Sequence, residues 1–368
     1  MMQSLNIKNK YYVIGLMSGS SLDGLDMVYC AIENTGKYNF DLIVAETFEY
    51  DVRTKNYLKN IAADINKDYE KEHYFFAEIT AEFINKFIEK NKINIVDFIA
   101  SHGHTIFHYP ENKKTLQIGD GKRIMELTGI STIYNFRQAD IDAGGQGTPL
   151  VPVCDQMFFS NYDACLNIGG IANISYNIDG ERLGFDICAA NQLLNYCAAE
   201  LNMQYDEDGK LASAGDVNDD LLEQLNDFDY FRKTPPKSLD NNHLQKYFFP
   251  LLDKFEIRVE DKLNTVVEHI AVQIAKMIMI HRKVDMIPKE DYNLLVTGGG
   301  AFNKYLIENI EIFSGIKIKL PNVEIIQFKE ALAMALMGVL RWENNPNFLP
   351  SVTGANHAVC AGEISLAG

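Results

Sequence analysis

Apolar residues fall in short blocks divided by turns rich in glycine, serine and aspartate. Tyr11 to Met17 is an apolar run ending at SGSSLDG, and Leu25 to Ile32 is a second run rich in β-formers. This predicts strand, tight turn, strand. Between Thr54 and Asn91, Ile61, Phe76, Ile79, Phe83 and Phe87 follow helical spacing, and Asn94 to Ala100 returns to a buried strand. Ser101 to Pro152 then lacks regular periodicity and is dense in Gly, His, Asp and Gln. Long polar segments between ordered elements are where function often resides.

The same grammar reopens in the second half. Ala164 to Ile168 is apolar, Gly169 and Gly170 turn the chain, and Ala172 to Ile178 is apolar again. Helices are predicted at Asn191 to Leu201 and Leu263 to His281. A short strand at Leu294 to Thr297 runs into Gly298, Gly299 and Gly300, with a helix from about Asn303 and a last one at Glu330 to Trp342. Strand, glycine turn and strand thus occur twice, about 150 residues apart, which suggests a duplicated two-lobed α/β fold with a central cleft. The lobes are expected at 1–133 and 134–368, hinged near Ile130 to Phe136.

A length of 368 residues is about twice that of a typical domain, in keeping with two lobes. Acidic residues outnumber basic ones 50 to 34, for a net charge of −16, so binding of nucleic acid is not expected. The six cysteines are dispersed, with no C-x-x-C pair, and read as reduced thiols of a cytoplasmic protein. The apolar stretch around Ile270 to Ile280 is broken by Gln273 and Lys276 and is too short to span a bilayer, so no membrane partner is expected. Lys8 and Lys10 before YYVIGLM imitate a signal peptide only weakly, without a small-residue cleavage site.

Candidate chemistry sits at the turns. In GLMSGSSLDGLD, Gly19, Ser20, Ser21, Leu22, Asp23, Gly24, Leu25 and Asp26 form a turn that can approach phosphates, and Asp23 and Asp26 could orient a metal ion or its waters. It lacks the G-K-[ST] of a P-loop. Gly298 to Gly300 expose amides before a helix and suit an anion or nucleotide. Asp186, in GFDICAAN, ends an apolar run just before a helix, where a carboxylate is either a helix cap or a general base. His102, His104 and His108 are spaced for a strand, and hydrogen bonding to a polar ligand takes precedence over metal ligation. Arg137 reads as a structural ion pair or a ligand clamp, and Glu330 as a residue opening a helix.

Taken together, GLMSGSSLDGLD, SHGHTIFHYP, LQIGDG, NFRQADIDAGGQGTPLVP, NIGGIANIS, GFD, TGGGAFN, KEALAMAL and LPSVTGA resemble the anhydro-N-acetylmuramic acid kinases in family order along nearly the whole chain. That family belongs to the sugar kinase, hexokinase and actin superfamily. The resemblance implies an actin-like, ribonuclease-H-like ATPase fold, ATP and Mg²⁺ as cofactors, and a cell-wall amino sugar as small-molecule substrate. It implies that Asp186 activates water and that Gly19 to Asp26 bind ATP phosphates, with Gly169, Gly170 and Gly298 to Gly300 also on the nucleotide. His102, Thr105, Arg137 and Glu330 are then expected on the sugar, the metal ligands stay unassigned, and a homodimer is expected. The last residues, after Thr353, are expected to return to the first lobe.

Three places depart from the family pattern. Ile187, Cys188, Ala189, Ala190 and Asn191 stand where Thr-Gly-Pro-Gly-Asn is usual, His104 where glutamine is usual, and Asn135 where aspartate is usual. These departures keep two other readings in view: a kinase for a different amino sugar, and a catalytically silent sensor of ATP or a muropeptide fragment.

Overall fold

The computed structural model describes residues 7–19, 22–235, 237–239 and 243–368. The chain forms two compact units: residues up to Phe158 with Phe328–Gly368, and Phe159–Gln327. Each has its own sheet.

In the first unit, β1 (Lys10–Ser18), β2 (Gly24–Asn34) and β3 (Tyr38–Glu49) form an antiparallel meander. β4 (Phe98–Tyr109) lies parallel to β1, and β6 (Thr132–Tyr134) parallel to β4. β5 (Lys114–Ile118) pairs with β4, and β11 (Glu363–Ser365) with β6. In the second unit, β7 (Ala164–Ile168), β8 (Ile171–Ile178) and β9 (Glu181–Ala189) form another meander, and β10 (Leu294–Thr297) lies parallel to β7. The path β3-β2-β1-β4 thus recurs as β9-β8-β7-β10. This is the duplicated α/β plan the repeated glycine turns predict.

Close packing in the first unit depends on two glycines. A Cβ on Gly15 of β1 would run into the Ala331 carbonyl, and one on Gly338 would meet the Ala100 Cβ at 2.7 Å. Lacking them, the helix Val323–Trp342 lies directly on β1 and β4, with Ala331, Leu332, Ala335 and Leu336 fully buried. That contact fixes where Glu330 emerges.

Several elements differ from the sequence expectation. The units part at 158/159 and 327/328 rather than at 133/134. The segment expected to hinge contains β6, a strand bonded on both sides within the first sheet. The 54–91 stretch is two helices, Val52–Lys59 and Glu70–Asn91, because a polar segment containing Asn66, Lys67 and Asp68 separates them. The polar tract from Ser101 is largely ordered, since β4 continues through its histidines to Tyr109. The helix Val259–Val284 is, by length and composition, long and apolar enough to cross a membrane, contrary to the sequence reading. Leu263, Val266, Val267, Ile270, Ala271, Ile274 and Ile278 of that helix instead form the core of the second unit.

Candidate active site

The first unit gathers four of the charged or polar site candidates. The β1–β2 register pairs Ser18 with Leu25, so the turn between them carries Gly19, Leu22 and Asp23; Ser20 and Ser21 lie outside the described residues. Asp23 is exposed, whereas Asp26 is half-buried and accepts a hydrogen bond from Thr47 Oγ1 at 2.6 Å. Burial, reinforced by Asp23, raises the Asp26 pKa above the usual carboxylate range. Glu330 is a near neighbour: burial raises its pKa and so does the Asp26 charge, while Lys329 and Arg137 oppose the shift. Arg137 Nε donates to His102 Nε2 at 2.9 Å, and burial lowers the guanidinium pKa to about 10 against the pull of Glu330. Asp26, Glu330, Arg137 and His102 therefore form one chain of interactions, and the sequence singles out all four on separate grounds.

Lys329 is withdrawn from this group by a buried ion pair with Asp155 at 3.1 Å. Thr105 belongs to a second, adjoining chain. Its Oγ1 accepts from Gln117 Nε2 at 3.3 Å, which also reaches Thr115 Oγ1 at 2.8 Å, and His108 Nδ1 lies 2.9 Å from that hydroxyl. His108 Nε2 and Gln117 Oε1 are buried without a hydrogen-bond partner among the described residues, so polar capacity remains beside Thr105. Burial and the nearby Arg137 charge hold the His108 pKa down at about 4.

Two members of the expected phosphate turn serve the fold through their side-chain positions. A Cβ on Gly24 would come within 2.5 Å of the Phe48 carbonyl of β3, and Leu25 is buried in the first unit's core. Their contribution to a ligand is limited to backbone.

In the second unit, Asp186 sits within β9 opposite Asn173, at an irregularity in the β8–β9 register, and not at the strand end. Its N–H donates to the Lys237 carbonyl at 3.2 Å, and its own carbonyl accepts from Tyr230 O–H at 2.7 Å. Oδ2 accepts from Leu239 N–H at 2.9 Å. Oδ1 receives no hydrogen bond from the described residues. Burial raises the carboxyl pKa to about 6, with the Leu239 bond opposing. A carboxylate held by one oxygen and poised near neutrality is suited to accept a proton. Neither Tyr230 nor the Lys237–Leu239 segment is legible as a partner in the sequence, since both approach from distant positions in a stretch without periodicity.

The glycine turns of this unit come together. Asn191 N–H donates to the Gly169 carbonyl at 3.1 Å, Ala190 N–H to the Gly170 carbonyl at 2.9 Å, and Asn191 Nδ2 to the Ile168 carbonyl at 3.1 Å. Gly298 takes φ +83, and a Cβ there would press on Asn167 Oδ1 and the Ile168 carbonyl, both at 2.7 Å. Gly300 has no room for a side chain against Ile168, whereas Gly299 faces Asn191 Nδ2 with ordinary spacing. The three glycines are not the N-terminus of the following helix: Gly299–Phe302 is a short 3-10 turn, and the helix Lys304–Ser314 is capped by Asn303 Oδ1, which accepts from Leu306 N–H at 3.0 Å. Among the described residues no cluster of three or more His, Cys, Asp or Glu could hold a metal ion unaided.

Comparison with known proteins closes the question of kinship. The model of the family "Anhydro-N-acetylmuramic acid kinase" matches residues 11–367. A protein of that name from Caldanaerobacter subterraneus subsp. tengcongensis is 32% identical over 400 aligned positions, covering 98% of this chain and 98% of its own. One from Francisella tularensis subsp. novicida is 32% identical, covering 96% and 98%, and one from Hydrogenovibrio crunogenus 33%, covering 95% and 96%. With a family match that spans residues 11–367 and relatives above 30% identity along nearly the whole chain, the chain belongs to the anhydro-N-acetylmuramic acid kinase family.

Proposed function

We propose that the protein converts 1,6-anhydro-N-acetylmuramic acid, ATP and water to N-acetylmuramic acid 6-phosphate and ADP, in peptidoglycan recycling. Asp186 takes a proton from water as the water oxygen bonds to the anomeric carbon. The C1–O6 bond breaks, O6 bonds to the γ-phosphorus, and the bond from that phosphorus to the β,γ-bridging oxygen breaks to release ADP. The observation that carries this reading is the Asp186 carboxylate, anchored through Oδ2, open at Oδ1 among the described residues, and raised to about 6. Phosphoryl transfer needs alignment and charge neutralisation more than covalent help.

The remaining assignments follow from chemistry. The Gly19–Asp26 turn holds nucleotide phosphates, and magnesium would arrive with ATP and neutralise phosphate charge, with Asp23 and Asp26 available to orient the ion or its waters. Arg137, Glu330 and Thr105 take the sugar's polar groups, and His102, whose two ring nitrogens are engaged by Arg137 and the Gly103 carbonyl, serves the sugar by holding Arg137. Gly169, Gly170 and Gly298 to Gly300 line the nucleotide, Gly300 through backbone alone. A homodimer is the expected assembly. The cytoplasm is the expected site, where ATP is available and the six cysteines, none of them in a disulfide, stay reduced.

The test is coupled ADP release with ATP, Mg²⁺ and 1,6-anhydro-N-acetylmuramic acid, beside N-acetylglucosamine and N-acetylmuramic acid as parallel acceptors. Turnover with the anhydro-sugar alone supports the reading. Turnover only with another acceptor reassigns the sugar site, as His104 and Asn135 would motivate. ATP binding without turnover makes this chain a sensor, in line with its Ile187–Asn191 departure.

A further inference from the structure

Both ends of the β1–β2 turn are held by one residue that lies outside every sequence motif. Tyr50, just past the end of β3, is 3% exposed. Its backbone N–H donates to the Asp23 carbonyl at 3.2 Å, at the far end of the turn. Its phenolic O–H donates to Ser18 Oγ at 2.8 Å, at the near end, where β1 stops. Ser18 Oγ in turn lies 3.0 Å from His104 Nδ1 on β4. With the serine oxygen accepting from tyrosine, the serine hydrogen is free to point at the imidazole. The chain Tyr50 O–H to Ser18 O–H to His104 Nδ1 then satisfies each buried group in one direction.

The surroundings lock the chain in place. Ser18 and His104 are 4% and 6% exposed. The Tyr50 ring stacks on Phe83 and meets Phe76 edge-on, and Phe76 also packs against His104. Ser18 is paired with His104 across a shift in the β1–β4 register, which is what brings the two side chains together. Burial lowers the His104 pKa to about 4, so the imidazole is neutral and available as an acceptor at working pH.

We propose that Tyr50 is a positioning residue for the phosphate turn, acting through Ser18 and His104 at one end and through Asp23 at the other. This rests on the reading of Gly19 to Asp26 as the ATP phosphate turn. It also accounts for His104: a histidine acceptor at this register replaces the family's usual glutamine without breaking the chain.

The experiment measures MgATP binding by titration calorimetry, and KM for ATP and for the sugar, in wild type, Tyr50→Phe, Ser18→Ala and the double variant. Tyr50→Phe keeps the ring and the backbone bond to Asp23 and removes only the hydroxyl. The expected result is a rise of about 5- to 10-fold in the Kd and KM for ATP, with the sugar KM unchanged, as for loss of one buried hydrogen bond. The double variant should be no weaker than Ser18→Ala alone, because both substitutions cut one chain. Unchanged ATP affinity in Tyr50→Phe overturns the proposal, as does an equal loss for both substrates with a lowered melting temperature, which marks a merely structural role. Wild-type protein that binds no MgATP removes the phosphate-turn reading itself, and this proposal with it; binding without turnover leaves the calorimetric comparison decisive.

Discussion

Arg137 and His102 fix each other's state: the guanidinium Nε lies 2.9 Å from His102 Nε2, and His102 Nδ1 lies 2.9 Å from the Gly103 carbonyl. An arginine nitrogen only donates and a carbonyl only accepts, so the imidazole carries its hydrogen on Nδ1 and offers Nε2 as acceptor. Burial and the adjacent guanidinium push the His102 pKa down to about 3, so this arrangement persists throughout any workable assay. Gly103 makes the geometry possible, since its φ of +74 turns the carbonyl toward the ring, and a Cβ would meet the Ile118 carbonyl at 2.5 Å.

It follows that His102→Ala should act on the sugar through Arg137. The sugar KM should rise about 10- to 100-fold, the cost of one hydrogen bond to a charged group, with the ATP KM unchanged. Arg137→Lys should be more damaging than His102→Ala, because a lysine cannot bond sideways to the imidazole while presenting a fork to the ligand. Steady-state kinetics with each substrate varied in turn decides this. A rise in the ATP KM instead would move Arg137 out of the sugar site.

Asp186→Asn should lower kcat by about 100- to 10,000-fold, the range for loss of a general base. MgATP binding should survive, because the carboxamide that replaces the carboxylate keeps an oxygen to accept from Leu239 N–H. In the wild type, a base with its pKa raised to about 6 is active only when deprotonated. Activity should therefore fall tenfold per pH unit below about 6 and level off above it. A pH profile of kcat/KM for the sugar that is flat to pH 5 would remove Asp186 from the role of base.

Much of this was legible in the chain and some was not, for definable reasons. The glycine turns announce themselves because few other residues tolerate the close approaches seen at Gly24, Gly298 and Gly300. What spacing does not show is which partner forces the glycine: Gly24 faces β3 and Gly300 faces Ile168, so two residues expected on a ligand are partly explained by packing. Asp186 is visible as a carboxylate near a turn, but the burial that raises its pKa is not, and the residues that hold it, Tyr230, Lys237 and Leu239, lie more than 40 positions away and carry no motif. Asn135 becomes intelligible only in three dimensions. Its φ of +54 suits asparagine, and its amide donates to Glu363 Oε1 at 2.6 Å, a contact an aspartate would turn into repulsion.

Acid should destabilise the fold through histidines that are buried neutral. The pKa values of His102 and His269 are pushed down to about 3 and those of His104 and His108 to about 4, in each case chiefly by burial. Because the folded values lie below the unfolded one of about 6.5, the unfolded chain binds more protons between these limits. Stability is therefore full above about 6.5 and is lost as pH falls toward 4. Each such group contributes at most about 2 kcal/mol of that loss by pH 5. His269 offers a clean probe, since its Nδ1 bonds only Asn226 Oδ1, at 2.9 Å, far in sequence from the proposed chemistry. His269→Gln should make the melting temperature less steeply dependent on pH between 6.5 and 5; an unaltered slope would assign the acid sensitivity elsewhere.

Two glycine substitutions separate packing from ligand contact. In Gly15→Ala, the added methyl meets the Ala331 carbonyl and lies 2.9 Å from the Ala335 Cβ, all within the tightly packed layer under β1. Neither neighbour is a flexible side-chain end, so the helix must move, at a cost of about 1–3 kcal/mol for overpacking. Since Glu330 directly precedes Ala331, the displacement should also raise the sugar KM. In Gly169→Ala, the nearest atoms to the added methyl are Asn167 Nδ2 and the Ile171 carbonyl, both at an ordinary 3.5 Å, and the backbone there needs no positive φ. Its stability should stay within about 0.5 kcal/mol of wild type, as for substitutions free of steric conflict. If the Gly169–Gly170 turn lies against nucleotide, the ATP KM should nevertheless rise severalfold. Thermal melts with paired kinetics on both variants give the answer: a Gly169→Ala protein with wild-type ATP affinity would take this turn out of the nucleotide site, whatever Gly15→Ala does.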